Sequence, residues 1–152
     1  MMAKIIGLGN RLRGDDAIGP IVIEEIENLE AGRYLQLIDA GADSFTVLEH
    51  LLDEEPLVIV DCARMGKSAG EIAVFNGDED KFNISENAIS LHGFSLAETI
   101  SIAKGTGEPM AEYTIIGIEP ESIEFNEPLS TTLKNSLTGI VSTVLMEAKK
   151  YE

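Results

Sequence analysis

Two adjacent carboxylates, Asp15 and Asp16, follow a glycine-rich turn in "GLGNRLRGDDAIGP", which runs from Gly7 to Pro20. Two more acidic side chains stand where apolar runs stop, Asp39 in "LIDAG" and Asp61 in "LVIVDC". A histidine, His92, lies in the loop-like segment "ISLHGFS". Carboxylate oxygens with an imidazole nitrogen suit a borderline divalent ion such as zinc or nickel, and three protein ligands leave positions open for substrate and water. A metal held in this way polarises a carbonyl and lowers the pKa of a water, while the same carboxylates without metal supply a general base. Each residue also has a plainer use. Asp15 or Asp16 could cap the helix that Pro20 joins in its first turn, Asp39 before Ala-Gly could shape a turn, and His92 could be structural. Asp61 is harder to set aside, because a carboxylate closing a buried apolar strand needs a partner or a role. His50 is placed on an exposed helix face without chemistry, and Cys62, lacking a second cysteine, reads as a small buried hydrophobe.

These residues must be held by elements, and the hydrophobic pattern indicates which. Short β-rich runs at 4–8, 34–39, 57–61, 71–75 and 113–118 alternate with longer amphipathic stretches, the signature of an α/β sheet. "LVIV" at 57–60 lacks polar alternation, as expected of a parallel strand covered on both faces. Ile18, Ile21, Val22, Ile26 and Leu29 form one helical stripe. Three further helices are expected: 45–52 with Asp43 or Ser44 as cap, 95–104 stopped by Gly105 and Gly107, and about 130–150. The expected architecture is a three-layer α/β/α sandwich around a mainly parallel, twisted sheet of about five strands, with residues 1–152 as one domain. Ligands in such folds bind beyond the carboxyl ends of the strands. Parallel strands would therefore gather Asp16, Asp39, Asp61 and His92 on one rim.

Gly7-Leu8-Gly9 after a strand, with Asp39 closing the next, imitates a dinucleotide fingerprint. The third glycine is missing, since Leu12 stands in its place. The helix starts too late to meet a pyrophosphate, and Asp15 and Asp16 would repel one. The formal net charge of −16, from 27 acids against 11 bases, likewise disfavours nucleic acid and anionic membranes. No apolar run approaches the roughly 18 residues of a membrane span, and no signal-peptide pattern opens the chain. One cysteine excludes an internal disulfide and accords with a reducing cytoplasm.

The segments "GLGNRLRGDDAIGP", "LIDAGADSFTVLEHL", "LVIVDCAR" and "SLHGFSLAETI", in this order and spacing, resemble the hydrogenase maturation endopeptidases. "YTIIGIEPESIEF" extends the likeness to the family's Gly-x-x-Pro-Glu turn, so it spans nearly the whole chain. The resemblance implies a processing endopeptidase that removes the C-terminal extension from the large-subunit precursor of a NiFe hydrogenase after nickel insertion. It implies a nickel-recognising site of Asp16, Asp61 and His92, with the nickel arriving on the substrate and no tightly bound cofactor of the protease's own. The acid at position 16 is Glu in some relatives, and some read Ser-Pro-His where this chain has Ser90-Leu91-His92. Water attack assisted by a carboxylate, Asp16 or Asp39, is the expected chemistry, since no Ser/His or Cys/His pair or zinc-protease helix is visible. A cytoplasmic monomer is expected. Two other readings are a non-catalytic nickel-sensing or chaperone-like binder of the large subunit, and a nucleotide-binding module.

Overall fold

A computed structural model describes residues 3–77, 89–90 and 96–152. Within them the chain runs β1 (Lys4–Leu8), α1 (Ile18–Glu27), β2 (Gln36–Gly41), α2 (Ser44–Leu51), β3 (Leu57–Arg64), β4 (Ile72–Asn76), β5 (Ile89–Ser90), α3 (Leu96–Gly105), β6 (Tyr113–Ile118) and α4 (Thr131–Lys149). The sheet order is β2-β1-β3-β6-β4, with β5 added to the end of β3. β1, β2, β3 and β6 are parallel, whereas β4 is antiparallel to β6 and β5 antiparallel to β3. No helix among the described residues is long and apolar enough to cross a membrane.

Both faces of the sheet are covered, which is why the central strands are apolar throughout. Val58, Val60 and Cys62 of β3 pack with Ile18, Val22 and Ile26 of α1 and with Leu133, Ile140 and Val144 of α4. Leu57 and Ile59 face the other way, against Val47 and Leu51 of α2 and Leu96 and Ile100 of α3. The expected three-layer sandwich is therefore the observed one. Each such fully buried aliphatic side chain contributes about 1.5–3 kcal/mol, so packing, more than helix propensity, fixes where the helices lie. Asp43 caps α2 by accepting from Phe45 N at 3.0 Å, and Ser130 caps α4 by accepting from Leu133 N at 3.2 Å.

Beyond one-residue shifts in β4, α2, α3 and α4, three boundaries differ from the sequence reading. Tyr34 closes a 3₁₀ turn, Glu30–Tyr34, so β2 begins at Gln36 and continues past Asp39 to Gly41. β3 likewise continues past Asp61, because Asp61 and Cys62 pair with Gly117 and Ile118, and Ala63 and Arg64 pair with β5. An apolar run stops at its first charge, but the backbone ladder does not. α1 ends at Glu27, leaving Leu29 beyond the helix and exposed.

The two glycines of the apparent nucleotide fingerprint serve close packing. A Cβ on Gly7 would lie 2.3 Å from the carbonyl oxygen of Gly19, so β1 and α1 approach to a distance only glycine permits. Gly9 has φ +154°, and its Cβ would lie 1.9 Å from the carbonyl oxygen of Asp16. The turn is thus folded closely onto the backbone of its own Asp16.

At the amino edge of the sheet, Lys4 is buried with its Nζ 2.6 Å from Asp53 Oδ2, 3.3 Å from Glu55 Oε2 and 3.0 Å from His50 Nδ1. His50 is half-buried and not on an exposed face, since the helix turns it back towards β1. Burial and the neighbouring Lys4 charge hold the imidazole below its ordinary pKa, so it accepts from Lys4 in its neutral form. A depressed histidine pKa favours the fold above its unfolded pKa of about 6.5, and that contribution is lost as pH falls. The stability difference between the parent protein and a His50→Gln variant is expected to shrink or reverse between pH 7.5 and 5.5. Thermal melts of both proteins across that range check it; a pH-independent difference would exclude His50 as a titrating group.

Candidate active site at the carboxyl edge

β1 leaves the sheet at Leu8 into a loop that the 3₁₀ turn Gly14–Ala17 closes. Gly9 N donates to Gly41 O at 2.8 Å, tying this loop to the end of β2. Asn10 organises its centre: its Oδ1 accepts from Leu12 N at 2.9 Å, and its own N–H donates to Asp16 Oδ2 at 3.0 Å. The loop therefore holds the Asp16 carboxylate through its own backbone.

The two neighbouring aspartates differ in their partners. Asp15 is fully buried and accepts from Glu121 N at 2.8 Å, Ser122 N at 3.2 Å, Ser130 N at 2.7 Å and Ser130 Oγ at 2.9 Å. It fastens the loop after β1 to the loop after β6 and to the start of α4. Neither aspartate caps α1, whose N-cap is Ala17 with no side-chain bond. Asp15 braces the capping residue of a different helix.

Asp16 and Asp61 are both buried at this edge. The turn carrying Asp16 packs against β3, and Asp61 lies on the α2–α3 face by strand alternation with Leu57, Ile59 and Ala63. Both charges act on Cys62, whose thiol is pushed far above its ordinary pKa by burial first and then by Asp61, Asp16 and Asp15. Cys62 is consequently a protonated, buried core residue, as its sequence context indicated.

Asp39 belongs to different surroundings. Strand alternation with Leu37 places it on the α1 face, two strands from Asp61 and so roughly 10 Å away by strand spacing. Its Oδ1 accepts from Gly41 N at 3.0 Å, a turn-shaping bond, and its Oδ2 accepts from Arg11 Nη2 at 2.9 Å. Arg11 Nη1 reaches Glu24 Oε1 at 2.7 Å. The Asp39 bond, followed by the Glu24 charge, raises the Arg11 pKa despite the cost of burial. Asp39 thus shapes the β2 turn and anchors the Asp16 loop through Arg11.

His92 lies outside the described residues. The backbone of Ser90, two positions earlier, pairs with Ala63, two positions after Asp61. Among the described residues no three of His, Cys, Asp and Glu are close enough to hold a metal ion.

One acidic residue escaped the sequence reading. Glu119, buried just past the end of β6, accepts from Met65 N at 2.7 Å and Lys67 N at 2.9 Å. It fixes the loop leaving β3, and Met65 Sδ packs over Gly117, the register partner of Asp61. The signal that singled out Asp61, a carboxylate closing an apolar run, is present here too, in "TIIGIE".

The model of the hydrogenase maturation protease family matches residues 20–147. The chain belongs to the hydrogenase maturation protease family. It is 34% identical over 151 residues to a putative hydrogenase maturation protease of Methanocaldococcus jannaschii, covering 93% of this chain and 85% of that one. Identity with the hydrogenase 2 maturation protease of Escherichia coli K12 is 29% over 146 residues, covering 95% and 89%. The solved structure of the hydrogenase maturating endopeptidase HybD from E. coli superposes with a TM-score of 0.79 at 27% identity, covering 99% of this chain and 93% of that one. Membership of this family supports protease activity.

Proposed function

We propose that this protein is a nickel-dependent processing endopeptidase that removes the C-terminal extension from the large-subunit precursor of a NiFe hydrogenase. The observation that carries the reading is that Asp16, in the loop after β1, and Asp61, near the carboxyl end of β3, are both buried carboxylates on a chain of the maturation-protease family. Nickel enters as part of the substrate, held by the precursor's cysteines. Asp16, Asp61 and His92 complete its coordination sphere; thiolate, carboxylate and imidazole together suit this ion. Docking through the ion orients the scissile bond, so an unloaded precursor is passed over. A water then adds its oxygen to the scissile carbonyl carbon while a carboxylate takes its proton. The C–N bond breaks, and the proton passes to the departing amine. The base is Asp16 or Asp39, the two carboxylates carried by the loop after β1 and by the end of β2.

The test mixes the purified protein with large-subunit precursor, with and without nickel. Release of a C-terminal peptide from the loaded precursor alone is expected by mass spectrometry. Equal cleavage of metal-free precursor would remove the nickel checkpoint, and binding without release would leave a non-catalytic binder.

A further inference from the structure

Beside the candidate site, the loop after β1 and the loop after β6 each expose a large apolar side chain, Leu12 at 58% and Phe125 at 61%. The two positions are joined by backbone: Asn126 N donates to Leu12 O at 2.7 Å, and Gly14 N donates to Glu127 O at 3.1 Å. Asn126 has φ 64°, and among the described residues it is the one non-glycine with positive φ. Asparagine tolerates this left-handed conformation better than most residues, though still at a cost. Asp15 locks the same two loops from beneath through Glu121, Ser122 and Ser130. A bent backbone, two inter-loop bonds and a buried carboxylate thus fix the neighbouring backbone segments that carry these two exposed apolar groups.

We infer that Leu12 and Phe125 form an apolar pad that docks the precursor next to its scissile bond. The proposal rests on the processing function above and names the surface through which that substrate is gripped. Leu12 N donates to Asn10 Oδ1 and Asn10 N donates to Asp16 Oδ2, so the pad adjoins the loop that holds the site. A chain of net charge −16 repels acidic segments, so the occupant is an apolar stretch of the precursor with neutral or basic flanks. The pad adds affinity through buried apolar area and takes no part in bond cleavage.

The test measures binding of nickel-loaded precursor by calorimetry and, separately, kcat and KM for its cleavage. It compares the parent with Leu12→Ser, Phe125→Ser, the double variant, and Met146→Ser, an equally exposed apolar position (57%) on α4. In the double variant Kd and KM are expected to rise at least about tenfold, the loss of one modest apolar contact, with kcat and melting temperature unchanged. Phe125→Leu restores most of the affinity, and Met146→Ser matches the parent. Unchanged Kd and KM in the double variant would overturn the pad while leaving processing intact. Pad-dependent binding without any cleavage by the parent would instead defeat the proposed function. A parent dimer that the double variant dissociates, seen by sedimentation, would show that a second copy occupies the pad and overturn the assignment.

Discussion

Asp61→Asn is expected to abolish processing, lowering the rate of C-terminal peptide release by at least about 100-fold, the scale seen when one preorganised electrostatic group is removed from a site. The substitution keeps the side chain's shape and deletes only its charge, so the core around β3 stays packed. Asp61 sits mid-strand, with its backbone paired to Gly117 of β6 and with Ala63 and Arg64 beyond it paired to β5, and these ladder bonds do not depend on the side chain. The melting temperature is therefore expected to stay within about 3 °C of the parent, a shift of roughly 1 kcal/mol. Asp16→Ala and His92→Ala are expected to share the loss of processing. Gel analysis of the loaded precursor, beside a thermal melt of each variant, separates lost chemistry from lost folding. Full activity in the Asp61 variant would remove it from the site.

Asp15→Ala is expected to do the opposite, destabilising the protein before it touches the chemistry. Its carboxylate accepts from three backbone N–H groups and one hydroxyl, all drawn from the β6–α4 connection. Removing it strands these donors in a site with no solvent access at Asp15 itself. Each unsatisfied buried donor costs about 1–3 kcal/mol, and water entering the vacated space recovers part of that, so a net loss of about 3–5 kcal/mol is expected. For a chain of this size that lowers the melting temperature by roughly 10 °C. Processing measured well below the melting point is expected to survive in part, because Asp16 keeps its bond from Asn10 N. A melting temperature equal to the parent's would show that the brace carries no net stability. Two consecutive aspartates are thus expected to separate by experiment, one through stability and the other through turnover.

This contrast marks what could be read from the chain. β1 and β6 were legible to the residue and the helices to within a turn, because a strand buried on both faces must be apolar throughout and an amphipathic helix must repeat its stripe. The acids at the ends of apolar runs were legible as candidates for the same reason, since a carboxylate in that position has to be accommodated. Their individual duties were not. Asp15 and Asp16 are chemically identical neighbours, and Asp39 and Asp61 both close apolar runs. Nothing local distinguishes a carboxylate bonded to a distant loop from one held by its own turn.

The sequence by itself determined the layers, the parallel strands and the family, because periodicity and motif order are local properties of the chain. Only the tertiary structure decided that Asp15 reaches Glu121, Ser122 and Ser130, more than a hundred positions away. It likewise decided that Asp39 faces α1 with Arg11, and that Gly7 and Gly9 exist to let α1 and the Asp16 loop close onto β1. Those facts depend on which donors meet in space, and spacing along the chain carries no record of donors brought together by packing.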